Sequence, residues 1–279
     1  MTLTPTRELM QAAAERRIGV GAFNVIHLET AEALVAGAER AGLPVVLQIS
    51  ENCVKYHGGL EPLALATMAV ARKARVPVAV HLDHAEDEEL ARQAVDLGFG
   101  SVMFDGAHLD YSENTAVTSR IARYAHVRGV YVEAELGKVG GKDGAHTPGV
   151  RTDPGEATSF VEETGVDALA VAVGSSHAMT DRTATLDLAL IRQLHEALAV
   201  PLVLHGSSGV PDDEILGAIR AGMTKINIST HLNGIFTRAI RGYLDENPKV
   251  VDSRKYVGVA RNALIPETGR LLTLFNSLD

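Results

Sequence analysis

Short apolar runs rich in β-branched residues recur eight times along this chain, and longer amphipathic runs separate them. The apolar runs are Gly19 to Val25, Pro44 to Ile49, Pro77 to Leu82, Ser101 to Phe104, Gly129 to Ala134, Ala168 to Val173, Pro201 to Leu204 and Lys225 to Ile228. Each is short and rich in β-branched residues, which reads as a strand. The intervening runs, among them Leu28 to Ala41, Asp87 to Leu97, Leu186 to Leu198 and Asp212 to Ala221, place apolar residues at helical spacing. Gly42, Gly98, Gly129, Gly165 and Gly222 follow helical runs, and Pro44, Pro77 and Pro201 open strands. Eight strand–helix units of roughly 30 residues each predict an α/β fold, a single-domain (β/α)8 TIM barrel over residues 1–279. An open doubly wound sheet is the alternative. Residues 247–279 read as an extended C-terminal arm followed by a terminal helix.

Composition narrows the function. The chain has 279 residues, 46% hydrophobic, and a formal net charge of −9, which argues against a nucleic-acid-binding face. An anionic substrate would need a local positive site such as a metal or helix N-termini. The single cysteine, Cys53, has no intrachain partner, which points to a reducing compartment. No apolar run is long enough to cross a bilayer, and the N-terminus lacks a signal-peptide core, so a cytoplasmic enzyme with no membrane partner is expected.

In a barrel of this kind, chemistry gathers just past the C-terminal ends of the strands. The third strand ends in His81-Leu82-Asp83-His84, the sixth in Gly174-Ser175-Ser176-His177 and the seventh in His205-Gly206-Ser207-Ser208-Gly209. Three histidines on separate rigid strand ends can hold a divalent metal with coordination positions left open. His81 is expected to point into the barrel. Successive side chains on a strand diverge, so Asp83 is expected to face substrate as a proton-transfer group instead of sharing the metal with His84. Gly206, Ser207 and Ser208 after the seventh strand, and Asn227, Ile228, Ser229 and Thr230 after the eighth, open helices and predict an anion site. Asp105, Glu133 and Glu135 add carboxylates at strand ends, and Gly137 to Gly149 forms a glycine-rich loop.

These residues resemble the class II ketose-bisphosphate aldolases. The likeness runs through Ala22-Phe23-Asn24, His81-Leu82-Asp83-His84, Ser101-Val102-Met103 with Asp105, and Val132-Glu133-Ala134-Glu135-Leu136-Gly137. It continues in Leu202-Val203-Leu204-His205-Gly206, Lys225-Ile226-Asn227-Ile228 and Asp252-Ser253-Arg254-Lys255-Tyr256, in the family's order. The resemblance implies a catalytic zinc on His84, His177 and His205. It also implies a second cation, divalent or monovalent, near Asp105 and Glu135, with Asp83 as catalytic acid–base. Asn24, Gly206, Ser208, Asn227 and Thr230 would contact a phosphorylated sugar. Arg254 would reach the far phosphate across the interface of a homodimer or homotetramer. The implied reaction is reversible aldol cleavage of a fructose or tagatose bisphosphate to dihydroxyacetone phosphate and an aldehyde.

Several positions depart from the family pattern. Ala178 stands where glycine is usual, and Asp181 where a lysine helps hold phosphate, with Arg182 as a possible replacement. Ser229 and Asn233 replace an aspartate and an arginine common in fructose-bisphosphate enzymes. Asp143, beside Lys142, is the nearest candidate for the C3 base. These departures leave two further readings open. One is a zinc aldolase or lyase acting on a non-standard phosphorylated or sulfonated sugar; the other is a non-catalytic metal-binding barrel.

Overall fold

The computed structural model describes residues 3–136 and 151–277. Eight strands form a closed parallel barrel in chain order: β1 (Val20–Asn24), β2 (Val45–Ser50), β3 (Val78–Ala85), β4 (Ser101–Phe104), β5 (Tyr131–Leu136), β6 (Ala168–Val171), β7 (Leu202–Leu204) and β8 (Met223–Ile228). β8 closes on β1 in parallel register, with Ala22 opposite Asn227. Closure excludes the open doubly wound alternative, because no sheet edge remains.

The helices are α1 (Thr6–Arg16), α2 (Leu28–Ala41), α3 (Glu51–His57), α4 (Glu61–Lys73), α5 (Glu88–Asp96), α6 (Tyr111–His126), α7 (Pro154–Thr164), α8 (Leu188–Ala197), α9 (Asp212–Ala221), α10 (Thr230–Glu246) and α11 (Ser253–Phe275). Aspartates start several of them. Asp87, Asp110, Asp153 and Asp187 each accept a backbone N–H from the first turn, of α5, α6, α7 and α8 respectively. Such caps satisfy donors that the helix itself cannot. Among the described residues no helix is long and apolar enough to cross a membrane.

Strand alternation sorts the core into two regions. Leu47, Ile49, Val80, Leu82, Val102, Val132, Ala134, Ile226 and Ile228 face the helices and join the main cluster. The barrel interior is smaller: Leu9 and Ala13 of α1 pack with Val20, Ala22, Val46 and Ala79, while Met10 packs with Met103, Tyr131, Ala168, Ala170 and Val203. α1 therefore plugs the end of the barrel where the strands begin, and leaves the opposite mouth to the site.

From Ser253 onward the expected arm is a helix of the molecule's own outer layer. α11 lies along α2, where Gly37 permits the contact: a Cβ there would sit 2.8 Å from the Ile265 carbonyl oxygen. Phe275 is fully buried and its ring meets Phe23. The apolar residues Leu264, Leu271, Leu272 and Phe275 explain why this stretch docks on its own barrel.

Candidate active site

A cavity of about 670 Å³ opens at the C-terminal mouth of the barrel. Asn24, Asp83, His84, Asp105, Glu135, His177, Gly206, Ser207, Ser208, Asn227, Ser229 and Thr230 all line it. Three strand-end histidines predicted from separate segments thus meet at one place. Their ring centroids are 4.5 Å apart for His84 and His205, 5.0 Å for His84 and His177, and 5.9 Å for His177 and His205.

His84 reaches the cluster through an irregular backbone. The β3–β4 register shifts between Leu82 and Ala85, and His84 has a φ of 48°. For a non-glycine residue this left-handed conformation costs on the order of 1–3 kcal/mol. Its effect is to interrupt the strand alternation, so Asp83 and His84 both face the mouth. The expectation that successive side chains diverge is corrected here.

The outer carboxylates define the ring orientations. Asp105 Oδ2 lies 2.8 Å from His84 Nδ1, and Glu133 Oε1 lies 2.9 Å from His205 Nε2. A carboxylate accepts, so these ring nitrogens carry the protons by assignment, and His84 Nε2 and His205 Nδ1 are left with lone pairs. Those two inner nitrogens are 2.8 Å apart, and Glu135 Oε2 is 3.6 Å from His205 Nδ1. His84, Glu135, His177 and His205 each offer a ligand atom within 4.8 Å of the others. Converging lone pairs and a carboxylate repel one another unless a cation joins them. Three imidazoles and a carboxylate are a set that zinc accepts, so the residues present fit it. Asp105, read from sequence beside a second cation, holds the far side of a histidine in this arrangement, a support that metal-binding histidines usually have. Burial, reinforced by neighbouring imidazoles and Lys225, pushes His205 well below its ordinary range, so the ring is neutral.

Asp83 is 3% exposed and faces the same mouth. Asn24 Nδ2 donates to it at 3.1 Å and Asn227 Nδ2 approaches at 3.4 Å. Gln48 Nε2 in turn donates to Asn24 Oδ1 at 2.8 Å, which fixes the asparagine amide. Burial alone would raise the Asp83 carboxyl. The His84 and His205 imidazoles, the Lys225 ammonium and the Asn24 amide outweigh it and hold the group below the usual carboxylate range. It is ionised at neutral pH and able to accept a proton.

The anion loops are built differently from the sequence expectation. Gly206, with φ at 66°, turns the chain sharply after β7, and residues 207–209 make a single 3-10 turn. Ser208 Oγ accepts the backbone N–H groups of Ser229 and His231, both at 3.2 Å. This hydroxyl ties the β7 loop to the start of α10 and occupies amides that were expected to face an anion. Ile228 turns its side chain into the barrel–helix core and does not line the cavity. Arg182 bonds the Val210 carbonyl at 2.9 Å and Asp212 at 2.6 Å, so it does not stand in for the missing lysine. Ala178, at the usual glycine position, has φ at 59°. Arg254 begins α11 away from this chain's cavity; its side chain is 90% exposed and pairs with Asp252. Asp143 lies outside the described residues. Cys53 is buried, which pushes its thiol up to about 11 and keeps it in the less reactive protonated form.

Sequence reading left out Gln48 and Lys225, and it noted Glu133 without a role. The spacing of Glu133 and Glu135 was the available signal, since two carboxylates two residues apart on a strand share a face. Lys225 lies inside the fully buried strand β8, and a lysine in such a place is expected to be paired.

The family model described as "Fructose-bisphosphate aldolase class-II" matches residues 4–279. A fructose-bisphosphate aldolase of Geobacillus stearothermophilus is 40% identical over 268 residues, covering 95% of this chain and 93% of that protein. A 6-phospho-5-dehydro-2-deoxy-D-gluconate aldolase of Bacillus licheniformis is 38% identical, over 92% of this chain and 89% of that protein. Among solved structures, the YdjI aldolase of Escherichia coli K12 superposes with a TM-score of 0.84 at 31% identity, covering 99% of this chain and 98% of that one. With a barrel, a metal-competent mouth and a family match across nearly the whole chain, the protein belongs to the class II fructose-bisphosphate aldolases and is an aldolase, a carbon–carbon lyase.

Proposed function

We propose that this aldolase uses zinc to cleave a ketose 1,6-bisphosphate of the fructose or tagatose type reversibly into dihydroxyacetone phosphate and glyceraldehyde 3-phosphate. The observation that carries the reading is the meeting of His84, His177 and His205 in one cluster at a cavity that a buried, ionised Asp83 also lines. The chemistry that a zinc ion held by these histidines supplies is Lewis-acid polarisation of a ketose carbonyl. Asp83 removes the C4 hydroxyl proton as the C3–C4 bond breaks, and the bond's electron pair stays with C3. In the synthetic direction Asp83 returns that proton to the aldehyde oxygen. Asn24 and Asn227 hold its carboxylate in place throughout. Proton transfer at C3 is assigned to Asp143. Gly206, Ser207, Ser208, Ser229 and Thr230 take the proximal phosphate.

Lys55 is the only lysine or arginine among the described residues that line the cavity, and Glu51 pairs with it. A distal phosphate therefore calls for a further cation. Arg254, exposed on this chain, fits that role in a homodimer or homotetramer. A second reading, a substrate with one phosphate, is favoured by the 38% identity to a 6-phospho-5-dehydro-2-deoxy-D-gluconate aldolase, and by Ser229 and Asn233.

The test is turnover of a panel containing fructose 1,6-bisphosphate, tagatose 1,6-bisphosphate and 6-phospho-5-dehydro-2-deoxy-D-gluconate, with zinc counted per chain. The expected result is about one zinc and preference for a bisphosphate. Arg254→Ala should lower kcat/KM for that bisphosphate about 10- to 100-fold, the value of a charge-assisted hydrogen bond. Preference for the gluconate, with Arg254→Ala unchanged on every bisphosphate, supports the second reading. A protein without zinc that turns over no sugar phosphate refutes both.

A further inference from the structure

Beneath the cation cluster, the barrel interior holds a column of buried polar groups that the aldol chemistry above does not use. Glu133 and Lys225 are each 1% exposed and His81 is fully buried. Lys225 Nζ lies 2.8 Å from Glu133 Oε2 and 3.3 Å from His81 Nε2. His81 Nδ1 reaches Ser101 Oγ at 2.8 Å, and Ser101 Oγ lies 2.7 Å from Thr6 Oγ1 at the start of α1. One proton assignment satisfies every step: the ammonium donates to Glu133 and to His81 Nε2, and His81 Nδ1–H donates onward to Ser101.

We infer that Glu133, neutralised by Lys225, is a positioning residue that selects the ring tautomer of His205 and so keeps its Nδ1 open for the cation. This rests on the zinc reading of the cluster. Two groups compete for His205 Nε2. Glu133 Oε1 is an acceptor at 2.9 Å, and Asn227 Nδ2 is a donor at 3.2 Å. With the carboxylate present, Nε2 holds the proton and Nδ1 presents its lone pair to the cluster. Without it, the Asn227 amide is left facing Nε2 and favours the opposite tautomer. The proton then sits on Nδ1, 2.8 Å from His84 Nε2, where a metal has to bind. An amide flip at Asn227 would avoid this, but it would give up the contact of Nδ2 with Asp83 at 3.4 Å. Lys225 matters because its ammonium, 2.8 Å from Glu133 Oε2, offsets the cost of a carboxylate placed in the barrel interior and leaves Oε1 to His205.

The bland alternative is a core ion pair whose only role is packing. Buried pairs of that kind are often replaced by apolar residues without loss of stability. Two double variants separate the ideas, and neither leaves a buried charge. Glu133→Gln with Lys225→Met keeps an amide oxygen for His205 Nε2–H, and its NH2 faces His81 Nε2, which lies 3.9 Å from Glu133 Oε2 in the native protein. Glu133→Met with Lys225→Met keeps the bulk and removes the acceptor.

Zinc affinity would be measured on each purified full-length protein by competition with a chromogenic chelator. Folding of the metal-free form would be followed by circular dichroism. The visible absorption of the cobalt-substituted protein would report ligand geometry. The glutamine variant should hold zinc about 10- to 100-fold more tightly than the methionine variant, the usual effect of a partner behind a metal-binding histidine. Its cobalt spectrum should match the native one, and that of the methionine variant should differ. Equal zinc affinities and identical cobalt spectra would assign the column to packing alone. A native protein that binds no zinc at all would instead overturn the zinc reading, a result seen before either variant is compared.

Discussion

Replacing Gly206 with alanine should damage the metal site as well as the fold, by an amount that follows from the local geometry. The residue has φ at 66°, where an alanine loses roughly 1–2 kcal/mol from the clash of its own Cβ with the backbone. A Cβ built there also meets three backbone atoms of Ser176, at 2.7, 2.8 and 2.8 Å. Ordinary contact begins at 3.4 Å, so the shortest approach is deficient by 3.4 − 2.7 = 0.7 Å. Overpacking of this kind adds about 1–3 kcal/mol, for a total of about 2–5 kcal/mol. Relief requires the Ser176 backbone to move, and the next residue is His177. A shift of 0.7 Å exceeds the tolerance of about 0.2 Å on metal–ligand distances. Gly58→Ala is the control. Its φ is 71°, yet a Cβ there meets nothing within 4 Å, so it carries the backbone term alone. Urea denaturation and zinc titration of both variants would decide the matter. Gly206→Ala should lose at least 1 kcal/mol more than Gly58→Ala, on the order of the overpacking term, and should bind zinc more weakly. Equal stability losses, with native zinc affinity in both, would refute the claim that Gly206 seats the His177 loop.

Asp83→Ala should keep zinc and fold, lose about 10²–10⁴-fold in carbon–carbon cleavage, and lose far less in C3 proton exchange with dihydroxyacetone phosphate; equal losses, measured by coupled assay and deuterium exchange, would make Asp83 a support for the metal site. Glu267 accepts from His231 at 2.7 Å and pairs with Arg270 at 2.8 Å, and despite the opposing effect of burial its carboxyl falls to about 2. A carboxyl depressed on folding contributes stability that is full above its unfolded value of 4.5 and fades as pH falls towards 2. Glu267→Gln should therefore lower stability by about 1–2 kcal/mol at pH 7, after allowance for solvent screening, and the gap to the native protein should narrow in urea melts between pH 4.5 and pH 3.

Period and punctuation made the barrel legible. All eight strands lie where the apolar runs were placed, and the helices at 28–41 and 212–221 agree to the residue. Those signals are local: an apolar run bounded by proline or glycine needs no distant partner to declare itself. The three histidines were legible for a related reason, since the topology of a barrel converts three strand ends into one place. Backbone irregularity was not legible. The left-handed turn at His84 is a property of the β3–β4 register, and no residue type in His81-Leu82-Asp83-His84 announces it. The terminal helix was legible, but its early start at Ser253 and its docking on α2 were not, because its apolar positions are sparse.

The direction of hydrogen bonds was the hardest thing to foresee. Ser208 reads as a phosphate contact, and its hydroxyl also joins two loops by accepting from Ser229 and His231, which leaves only its own O–H to donate. Asp105 reads as a cation ligand, and its Oδ2 also holds the far nitrogen of His84. In both cases the residue type predicts that a polar contact exists but not which neighbour takes it, because several strand ends offer partners at similar distances. The outer groups narrow that choice. Carboxylates on β5 and just past β4 fix the protons of His205 and His84 on the outside, and this turns their unprotonated nitrogens inward. The cation cluster is thus specified from behind, by residues that need not touch a substrate, and the mouth is left free for the groups that do.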